Sequence, residues 1–325
     1  MLKNKKVLVT GGAGMIGSNI VKKLTSRGAE VTVFDNLSAY PFDYLHEYGV
    51  KHIKNVNFVN GNITNKKIVN GLIEKMDIVI HAAALADVGA CVRNPVLEHK
   101  MNVTATSNIL ETCKKHNLEK FIFVSSASVY GIGKSKIFRE DQPCFPISNY
   151  ALSKLWGEQQ SRLYYELYGF PTTSLRFFSV YGSPQVPKKG SHSWCVAIFG
   201  MLAKKRKPIT VYGDGNQIRD FTHVSDIAEA VVLSIDKKTT NGKFFNVGTG
   251  KSTTINTIVK KIFERIKKVP IKYKPYPPGD PLGGYADVTL MKKLLNWEPK
   301  LSLDKGMDEY FEWLNENEHL VPKWL

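Results

Sequence analysis

The sequence predicts an α/β protein with a doubly wound parallel sheet and a smaller C-terminal lobe interleaved with it. Three observations predict this fold class. Short apolar runs alternate with segments of helical spacing through the first half of the chain. A glycine-rich loop joins the first apolar run to the first helical segment. After Arg176, prolines and glycines become frequent, which is typical of a loop-rich lobe. Strands that alternate with helices form a parallel sheet covered on both faces, since the crossovers are right-handed.

The predicted strands and helices follow one another in a simple order. The apolar runs that predict strands are KKVLVTG, EVTVFDN, NVNFVNGN, DIVIHAAA and KFIFVSSASVYG. Helical spacing is found in SNIVKKLTSRG and in NPVLEHKMNVTATSNILETCKKH. Farther on, DIAEAVVLSI and KFFNVG predict one more helix and strand that return to the sheet. We therefore expect a first domain over residues 1–176, with a returning segment near 226–250, and a second lobe over 177–325.

Composition places the chain among ordinary globular proteins. It has 325 residues, 43% hydrophobic and 23% charged, which is enough for a large core. No run reaches the roughly 18 apolar residues of a membrane helix, so we expect no membrane partner. The N-terminus, MLKNKKVLVTGG, lacks the apolar segment of a signal peptide, and we expect a cytoplasmic protein. The four scattered cysteines predict reduced thiols and no metal site, although Cys91 falls near the predicted pocket.

The formal net charge of +16 would suit a nucleic-acid partner. The lysines, however, occur as pairs spread along the chain, such as Lys22 with Lys23 and Lys260 with Lys261, and they form no single basic arm. We therefore favour a solvated basic surface over a nucleic-acid-binding face. The same charge would attract anionic substrates.

The strongest local pattern is the loop TGGAGMIG, which follows a strand and opens a helix. Its glycines allow a tight turn and a close approach of the backbone to a pyrophosphate, which would bind at the positive end of the helix. The second strand ends in Asp35, at the distance expected for a carboxylate that binds the adenosine ribose. Asn36 and Ser38 supply no cation for a 2′-phosphate. The pattern predicts a Rossmann domain that binds NAD in preference to NADP.

A second pattern predicts chemistry. Tyr150 and Lys154 are four residues apart and would share a helix face. A tyrosine has a pKa of about 10, and a neighbouring ammonium group is expected to lower that pKa. Ser126 ends a predicted strand, at the sheet edge where ligands bind, and can hydrogen-bond the substrate oxygen that Tyr150 deprotonates. His81 and His223 could be mistaken for bases, but we interpret both as packing residues.

Several ordered motifs together resemble one known family. The glycine loop, SSASVYG, YALSK, LRFFSVYG and VYGDGNQIRDFTHVSDIAEA are similar to the extended short-chain dehydrogenase/reductase family, in its NAD-dependent nucleotide-sugar epimerase and dehydratase branch. The resemblance extends over nearly the whole chain, to LLNWEPKLSL, and ALADVGACVRNP resembles the corresponding loop of UDP-glucose 4-epimerases. It implies that the 1–176 domain binds NAD, that the 177–325 lobe mainly binds a nucleotide-diphosphate sugar, and that the protein is a homodimer.

The resemblance also implies the role of each site residue. Tyr150 would act as acid and base, Lys154 would position the nicotinamide ribose, and Ser126 would polarise the reacting hydroxyl group. Asn62 stands where the family usually has an aspartate, and Asn102 matches a family asparagine. The predicted cofactor-binding residues are Gly11, Gly14, Met15, Ile16, Gly17, Asp35, Asn36, Ser38, Asn62, Ile63, Ala82, Ala83, Ala84, Asn102, Tyr150, Lys154 and Phe177.

The predicted substrate-binding residues are Ser126, Ser128, Ser179, Arg219 and Asp280. The resemblance assigns Arg219 to the diphosphate of the substrate, because a planar guanidinium group can donate two hydrogen bonds to phosphate. A surface ion pair with Asp220 or Asp226 is the alternative for Arg219.

Two departures from the family pattern concern this substrate site. Ser179 replaces an asparagine that usually contacts the sugar phosphate. The late loop Pro275–Asp280 lacks the arginine that the family commonly carries there, and Lys274 is a candidate to replace it.

The residues after the catalytic hydroxyl group bear on the reaction. Dehydratases of this branch carry acids there, and decarboxylating relatives carry a glutamate at the position of Ser128, whereas this chain has Ala127 and Ser128. Without an acid to protonate a leaving group, plain hydride chemistry is favoured. We expect a 4-epimerase that transiently oxidises sugar C4, with a UDP-hexose as the favoured substrate. A 4-dehydrogenase or ketoreductase is the alternative, followed by a non-catalytic NAD- or nucleic-acid-binding protein on the same fold.

Overall fold

The computed structural model describes residues 2–39, 50–132, 135–187, 194–277 and 283–320. The strands are β1 (Lys6–Thr10), β2 (Glu30–Asp35), β3 (Val56–Asn60), β4 (Ile78–His81), β5 (Lys120–Ser126), β6 (Ile137–Phe138), β7 (Thr172–Phe177), β8 (Val180–Tyr181), β9 (Ile209–Tyr212), β10 (Ile218–Arg219), β11 (Thr222–His223), β12 (Lys243–Val247), β13 (Thr253–Thr254), β14 (Ile271–Lys274) and β15 (Tyr285–Ala286). The helices are α1 (Met15–Ser26), α2 (Lys66–Ile73), α3 (Val88–Arg93), α4 (Pro95–Glu98), α5 (Ala105–Lys115), α6 (Asn149–Tyr168), α7 (Cys195–Lys204), α8 (Val224–Ile235), α9 (Ile255–Arg265), α10 (Thr289–Leu295) and α11 (Leu303–Glu316). Within these ranges, no helix is long and apolar enough to cross a membrane.

Seven of these strands form one parallel sheet in the order β12-β7-β5-β4-β1-β2-β3. Successive strands are added on one side of β1 as far as β3, and then on its other side from β4 onward. The central strands are covered on both faces and are therefore almost continuously apolar, as in KVLVT of β1, where the last four residues are buried. The doubly wound Rossmann-type sheet predicted from the sequence is confirmed.

The register of the sheet brings the carboxyl ends of its strands to one edge. Thr10, which ends β1, lies opposite Phe34 on one side and His81 on the other. Ser126, which ends β5, lies opposite Phe177 at the end of β7. Ligands of such sheets bind at this edge, near the point where the strand order reverses. The fold therefore gathers the predicted cofactor and catalytic residues in one place.

Four hydrophobic cores are found among the described residues, and the two largest support this edge. The first core packs the sheet against α1 and α8, and the second lies within the C-terminal lobe and joins α7, α9 and α11. The segment α8–β12 returns to the sheet, where β12 pairs with β7. Helix α10 also joins the first core through Met291 and Leu295, although the sequence assigned it only to the 177–325 lobe. The division into the two functional domains stays a prediction.

The sequence predicts one helix over residues 94–116, but the structure divides it. A π-helical turn, His99–Thr104, separates α4 from α5. Such turns are frequent at functional sites, because the wider turn changes the direction of its side chains. Here the turn carries Asn102, whose contacts are described below.

Candidate active site

A cavity of about 940 Å³ lies at the carboxyl edge of the sheet and is lined by residues of both lobes. Its volume is in the upper range for small-molecule sites. Most of the predicted site residues line it, namely Gly11, Gly14, Met15, Ile16, Gly17, Asp35, Asn36, Ser38, Ile63, Ala82, Ala83, Ala84, Ser126, Ser128, Tyr150, Lys154, Phe177, Ser179 and Arg219. Asn62 and Asn102 are absent from the described lining, and Asp280 lies outside the described residues.

The loop between β1 and α1 is shaped by its glycines. Gly11 has φ of +69°, and a Cβ there would lie 2.7 Å from the backbone N of Ala83. A Cβ on Gly17 would lie 2.1 Å from the carbonyl oxygen of Gly11. Packing within the protein therefore requires both glycines. Gly14 is different, because its φ of −71° is ordinary and a Cβ there would meet only Gly11 O, at 3.4 Å. Packing within the protein therefore leaves room for a side chain at Gly14, and the contact of Gly14 with the cofactor stays a prediction.

Helix α1 presents its amino end to the cavity. Gly14 makes no side-chain capping bond, and the first turn contains no acidic residue. The amide groups of a first helical turn lack partners within the helix and carry partial positive charge. The carboxylate of Asp35 accepts hydrogen bonds from Ala13 N at 3.1 Å and Leu37 N at 2.8 Å. It therefore fixes the glycine loop while lining the cavity. The residues present fit the pyrophosphate and ribose of NAD.

Tyr150, Ser126 and Lys154 converge on the cavity from two elements. Helix α6 begins after Ser148, whose hydroxyl group accepts a hydrogen bond of 3.2 Å from the α6 backbone. This start places Tyr150 in the first turn and Lys154 one turn later, on the same face. Tyr150 and Ser126, which ends β5, both line the cavity. The Ser126 hydroxyl oxygen accepts hydrogen bonds from the backbone N and the hydroxyl group of Ser128, at 3.2 and 3.0 Å. Lys154 Nζ lies 5.8 Å from the centre of the Tyr150 ring and donates to Val124 O at 2.7 Å.

Desolvation controls the protonation of these groups. Burial raises the pKa of Tyr150 to about 12, and the polar hydroxyl group of Ser126 opposes that increase. Burial also lowers the pKa of Lys154 to about 8, against the negative charges of Glu98 and Glu158. The predicted lowering of the pKa of Tyr150 is therefore not seen in the protein without a ligand. Removing water from around the phenolate is the main cause of the raised pKa of Tyr150, and the negative charge of Glu98 adds to it.

A buried polar network lies beneath the predicted catalytic residues. Arg176 on β7 is bound by the Glu158 carboxylate, with Nη2 to Oε2 at 2.7 Å and Nε to Oε1 at 2.9 Å. Arg176 also donates to the Tyr130 hydroxyl group at 2.8 Å, which in turn donates to Asn246 Oδ1 at 2.6 Å. Ser125, next to Ser126 in the chain, donates to Glu158. The network joins β5, α6, β7 and β12. No sequence pattern predicted this network, although an arginine within the buried strand TTSLRF was the available sign.

The two predicted cofactor residues that do not line the cavity have protein partners. Asn62 Oδ1 accepts hydrogen bonds from the backbone N and hydroxyl group of Thr64, at 3.0 and 2.9 Å. Asn102, in the π-helical turn, accepts from Leu85 N at 2.8 Å and donates to Leu85 O at 3.0 Å and to Glu98 at 2.7 Å. A contact between these two asparagines and the cofactor stays a prediction. Asn102 instead fixes the loop after β4, which forms part of the cavity wall.

His81 and Cys91 lie close to the site but are unsuited to acid–base or nucleophilic chemistry. The ring nitrogens of His81 are hydrogen-bonded to the hydroxyl groups of Thr10 at 2.7 Å and Thr106 at 3.0 Å. Burial is the main cause that lowers the pKa of His81 to about 3. The Cys91 thiol donates to a backbone carbonyl at 3.2 Å, and burial raises its pKa to about 12. His223 caps α8 with its ring nitrogen.

The described lining of the cavity is rich in positive charge. Its cationic side chains are Lys154, Lys207, Arg219, Lys272 and Lys274, whereas its carboxylate is that of Asp35. Such a lining favours an anionic ligand. No sequence pattern predicted that Lys207 and Lys272 line the cavity. The alternation in IKYK was an available sign, since residues two apart in a strand point to one face.

Asp220 and Asp226, the two alternative ion-pair partners of Arg219, bind other groups in the structure. The carboxylate of Asp220 accepts hydrogen bonds from Thr249 N at 2.8 Å and Gly250 N at 2.9 Å. The carboxylate of Asp226 binds two backbone N–H groups just before α11. Both acids therefore hold loops together, and Arg219 lines the cavity. Contact between Arg219 and a diphosphate stays a prediction.

Comparison with known proteins identifies the family. The family model described as NAD dependent epimerase/dehydratase matches residues 7–248. The chain belongs to this family. A UDP-glucuronate 4-epimerase of Thermodesulfobacterium geofontis is 36% identical to it over 323 residues, covering 97% of this chain and 97% of the relative. A UDP-N-acetyl-alpha-D-glucosaminuronate decarboxylase of Bacillus cytotoxicus is 31% identical over 328 residues, covering 97% and 99%. The crystal structure of a UDP-glucose 4-epimerase of Thermotoga maritima with UDP-glucose has a TM-score of 0.88 and 32% identity, covering 96% of this chain and 99% of that chain.

This epimerase/dehydratase is an NAD-dependent enzyme of nucleotide sugars, either an epimerase or a related oxidoreductase. The family, the fold and the cofactor predicted from the sequence are confirmed. The relatives differ in their sugars and in their reactions, so the substrate and the reaction have to be argued from the site.

Proposed function

We propose that the protein is a nucleotide-sugar 4-epimerase with a UDP-hexose as its substrate. One observation carries the proposal. Tyr150, Ser126 and Lys154 line one cavity whose lining, over the described residues, has its carboxylate only at Asp35. Asp35 binds the backbone of the glycine loop. Elimination of water needs an acid beside the leaving hydroxyl group, and Ala127 and Ser128 supply none.

Three residues of the chain have separate roles in the proposed reaction. Ser126 donates a hydrogen bond to the C4 hydroxyl oxygen and holds it against Tyr150. Tyr150 takes the hydroxyl proton and later returns it. Lys154, whose Nζ lies 5.8 Å from the centre of the Tyr150 ring, stabilises the phenolate, which burial alone disfavours. Bound NAD supplies the acceptance and return of a hydride at the same carbon. The configuration at C4 would be inverted if the hydride came back to the face opposite the one it left.

The reaction is tested with a panel of UDP-, GDP-, dTDP- and CDP-sugars, with the products identified by NMR. We expect a UDP-hexose to change configuration at C4 without losing water or CO2. A dehydrated or decarboxylated product would contradict the proposal. Accumulation of one NADH per sugar would instead indicate a 4-dehydrogenase, because an epimerase regenerates NAD in each turnover.

A matched pair of variants tests Tyr150. Tyr150→Phe removes the hydroxyl group, and we expect turnover to fall by roughly 100-fold or more, with NAD still bound. Tyr168→Phe makes the same chemical change at an exposed position of the same helix, 57% exposed, and should leave turnover unchanged. Equal turnover in the two variants would remove the assigned role of Tyr150.

We also propose a homodimer in which α6 packs against its counterpart. Leu152, Leu163 and Leu167 lie 11 and 4 residues apart, close to whole helical turns, and are 58%, 43% and 67% exposed. Val96 and Leu97 on α4, which packs beside α6, add to this apolar surface. A second copy would remove it from water. Light scattering should give twice the chain mass of 36.5 kDa, and Leu163→Glu should give monomers. A monomeric parent protein would contradict the dimer. A cytoplasmic location stays a prediction.

A further inference from the structure

Strands β9 and β14 form a two-stranded parallel ribbon on the wall of the cavity. In its register Lys272 lies opposite Thr210, and Lys274 lies opposite Tyr212. All four of these residues line the cavity. Residues two apart in a strand share a face, so the ribbon turns one face, with both lysines, toward the ligand space. Tyr273, between the lysines, is absent from the lining.

Hydrogen bonds tie this ribbon to the segment that carries Arg219. The backbone N of Gly213 donates to Lys274 O at 2.7 Å. The side chain of Gln217, two residues before Arg219, donates to Tyr212 O at 2.7 Å. Lys274 therefore belongs to the same stretch of wall as Arg219. The two lysines extend the positive charge of that guanidinium group along the ribbon.

The two ribbon lysines have no ion-pair partner among the residues that the structure describes. The segment between Lys274 and Asp280 contains no arginine. Positive groups that face a cavity without carboxylate neighbours are suited to an anion supplied by a ligand. Lysine binds phosphate as a point charge, whereas arginine uses a planar fork.

We propose that Lys272 and Lys274 bind the diphosphate group of the nucleotide sugar together with Arg219, in place of an arginine in the late loop. The inference rests on the proposed function for the identity of the ligand. It adds that the positive groups that contact the diphosphate beside Arg219 come from strand β14. Because two mobile ammonium groups act largely through charge, binding should depend on the diphosphate and should weaken with added salt.

Calorimetry on the NAD-loaded protein tests the ribbon with UDP and with uridine. In Lys272→Gln/Lys274→Gln we expect the affinity for UDP to fall by about 10-fold or more, the effect of losing charge-assisted hydrogen bonds. The affinity for uridine should not change, because uridine has no phosphate. Lys267→Gln/Lys268→Gln is the matched control, since it removes the same charge from exposed lysines that do not line the cavity. Lys272→Arg/Lys274→Arg keeps the charge and should retain UDP binding.

The outcomes separate this inference from the proposed function. Equal UDP affinity in the ribbon variant and in the control would overturn the inference, as would an equal loss for UDP and uridine. A selective loss of UDP binding, in a protein whose sugar panel shows no change at C4, would uphold the ribbon and reject the epimerase. In an active enzyme the ribbon variant should raise KM about 10-fold while kcat stays within about twofold.

Discussion

Replacing Glu158 by glutamine tests whether the buried network stabilises the sheet edge that carries the site. The side chains of Arg176 and Glu158 are 1% and 0% exposed. Three contacts of 2.7, 2.9 and 3.1 Å join them. Glutamine keeps one oxygen acceptor but removes the negative charge, so the guanidinium group stays buried without a counter-charge. Breaking a buried ion pair in this way costs about 3–5 kcal/mol. We expect that loss in the free energy of unfolding, out of the roughly 5–15 kcal/mol of a typical domain.

Urea unfolding followed by far-UV circular dichroism measures the effect. Glu166→Gln is the matched control, because it makes the same change on the same helix. Its partner Arg162 lies 3.5 Å away, and the two side chains are 49% and 43% exposed, so the loss should stay below about 1 kcal/mol. Adding Arg176→Met to Glu158→Gln should recover part of the stability, since it removes the uncompensated charge. Equally small losses in Glu158→Gln and Glu166→Gln would refute the reasoning.

Three further predictions concern the cavity wall. Gly14→Ala should weaken NAD binding without lowering stability. Gly17→Ala should instead destabilise the fold, because a Cβ on residue 17 would lie 2.1 Å from a backbone oxygen. Thermal melts and NAD titrations that show the same pattern for both variants would contradict these two expectations. His81 has a pKa of about 3 when folded and 6.5 when unfolded, so the unfolded chain binds the extra proton and stability falls as pH drops through that interval. Between pH 7 and pH 5 the wild type should lose about 2 kcal/mol more than His81→Asn, measured by urea unfolding at both pH values; parallel losses would show that His81 titrates normally. Cys91 should resist iodoacetamide at pH 8 in the native protein, since its pKa is about 12, and a carbamidomethyl group on its peptide by mass spectrometry would contradict that.

The parts of the molecule that the sequence predicted are those whose signals are local. The glycine loop, strand β2 and Asp35 lie within about one βαβ unit, so spacing alone predicted the NAD site. Tyr150 and Lys154 share one helix, and Ser126 ends a strand that the apolar pattern already indicated. The π-helical turn around Asn102 could not be predicted, because each residue of HKMNVT is also common in ordinary α-helices. The pKa of Tyr150 was also missed, because it depends on how much water the folded cavity excludes.

The ribbon lysines explain why the net charge of +16 said so little about the ligand. Taken alone, IKYK suggests an edge strand with solvated lysines, which is a common way to protect an edge from aggregation. Pairing with ITVY, about 60 residues earlier in the chain, turns Lys272 and Lys274 toward the cavity. A charge therefore acquires a binding role through a tertiary contact that no local pattern contains. An anionic ligand is indicated by the positions of the cations and by the near absence of acids beside them in the described lining. The total number of lysines and arginines does not indicate it.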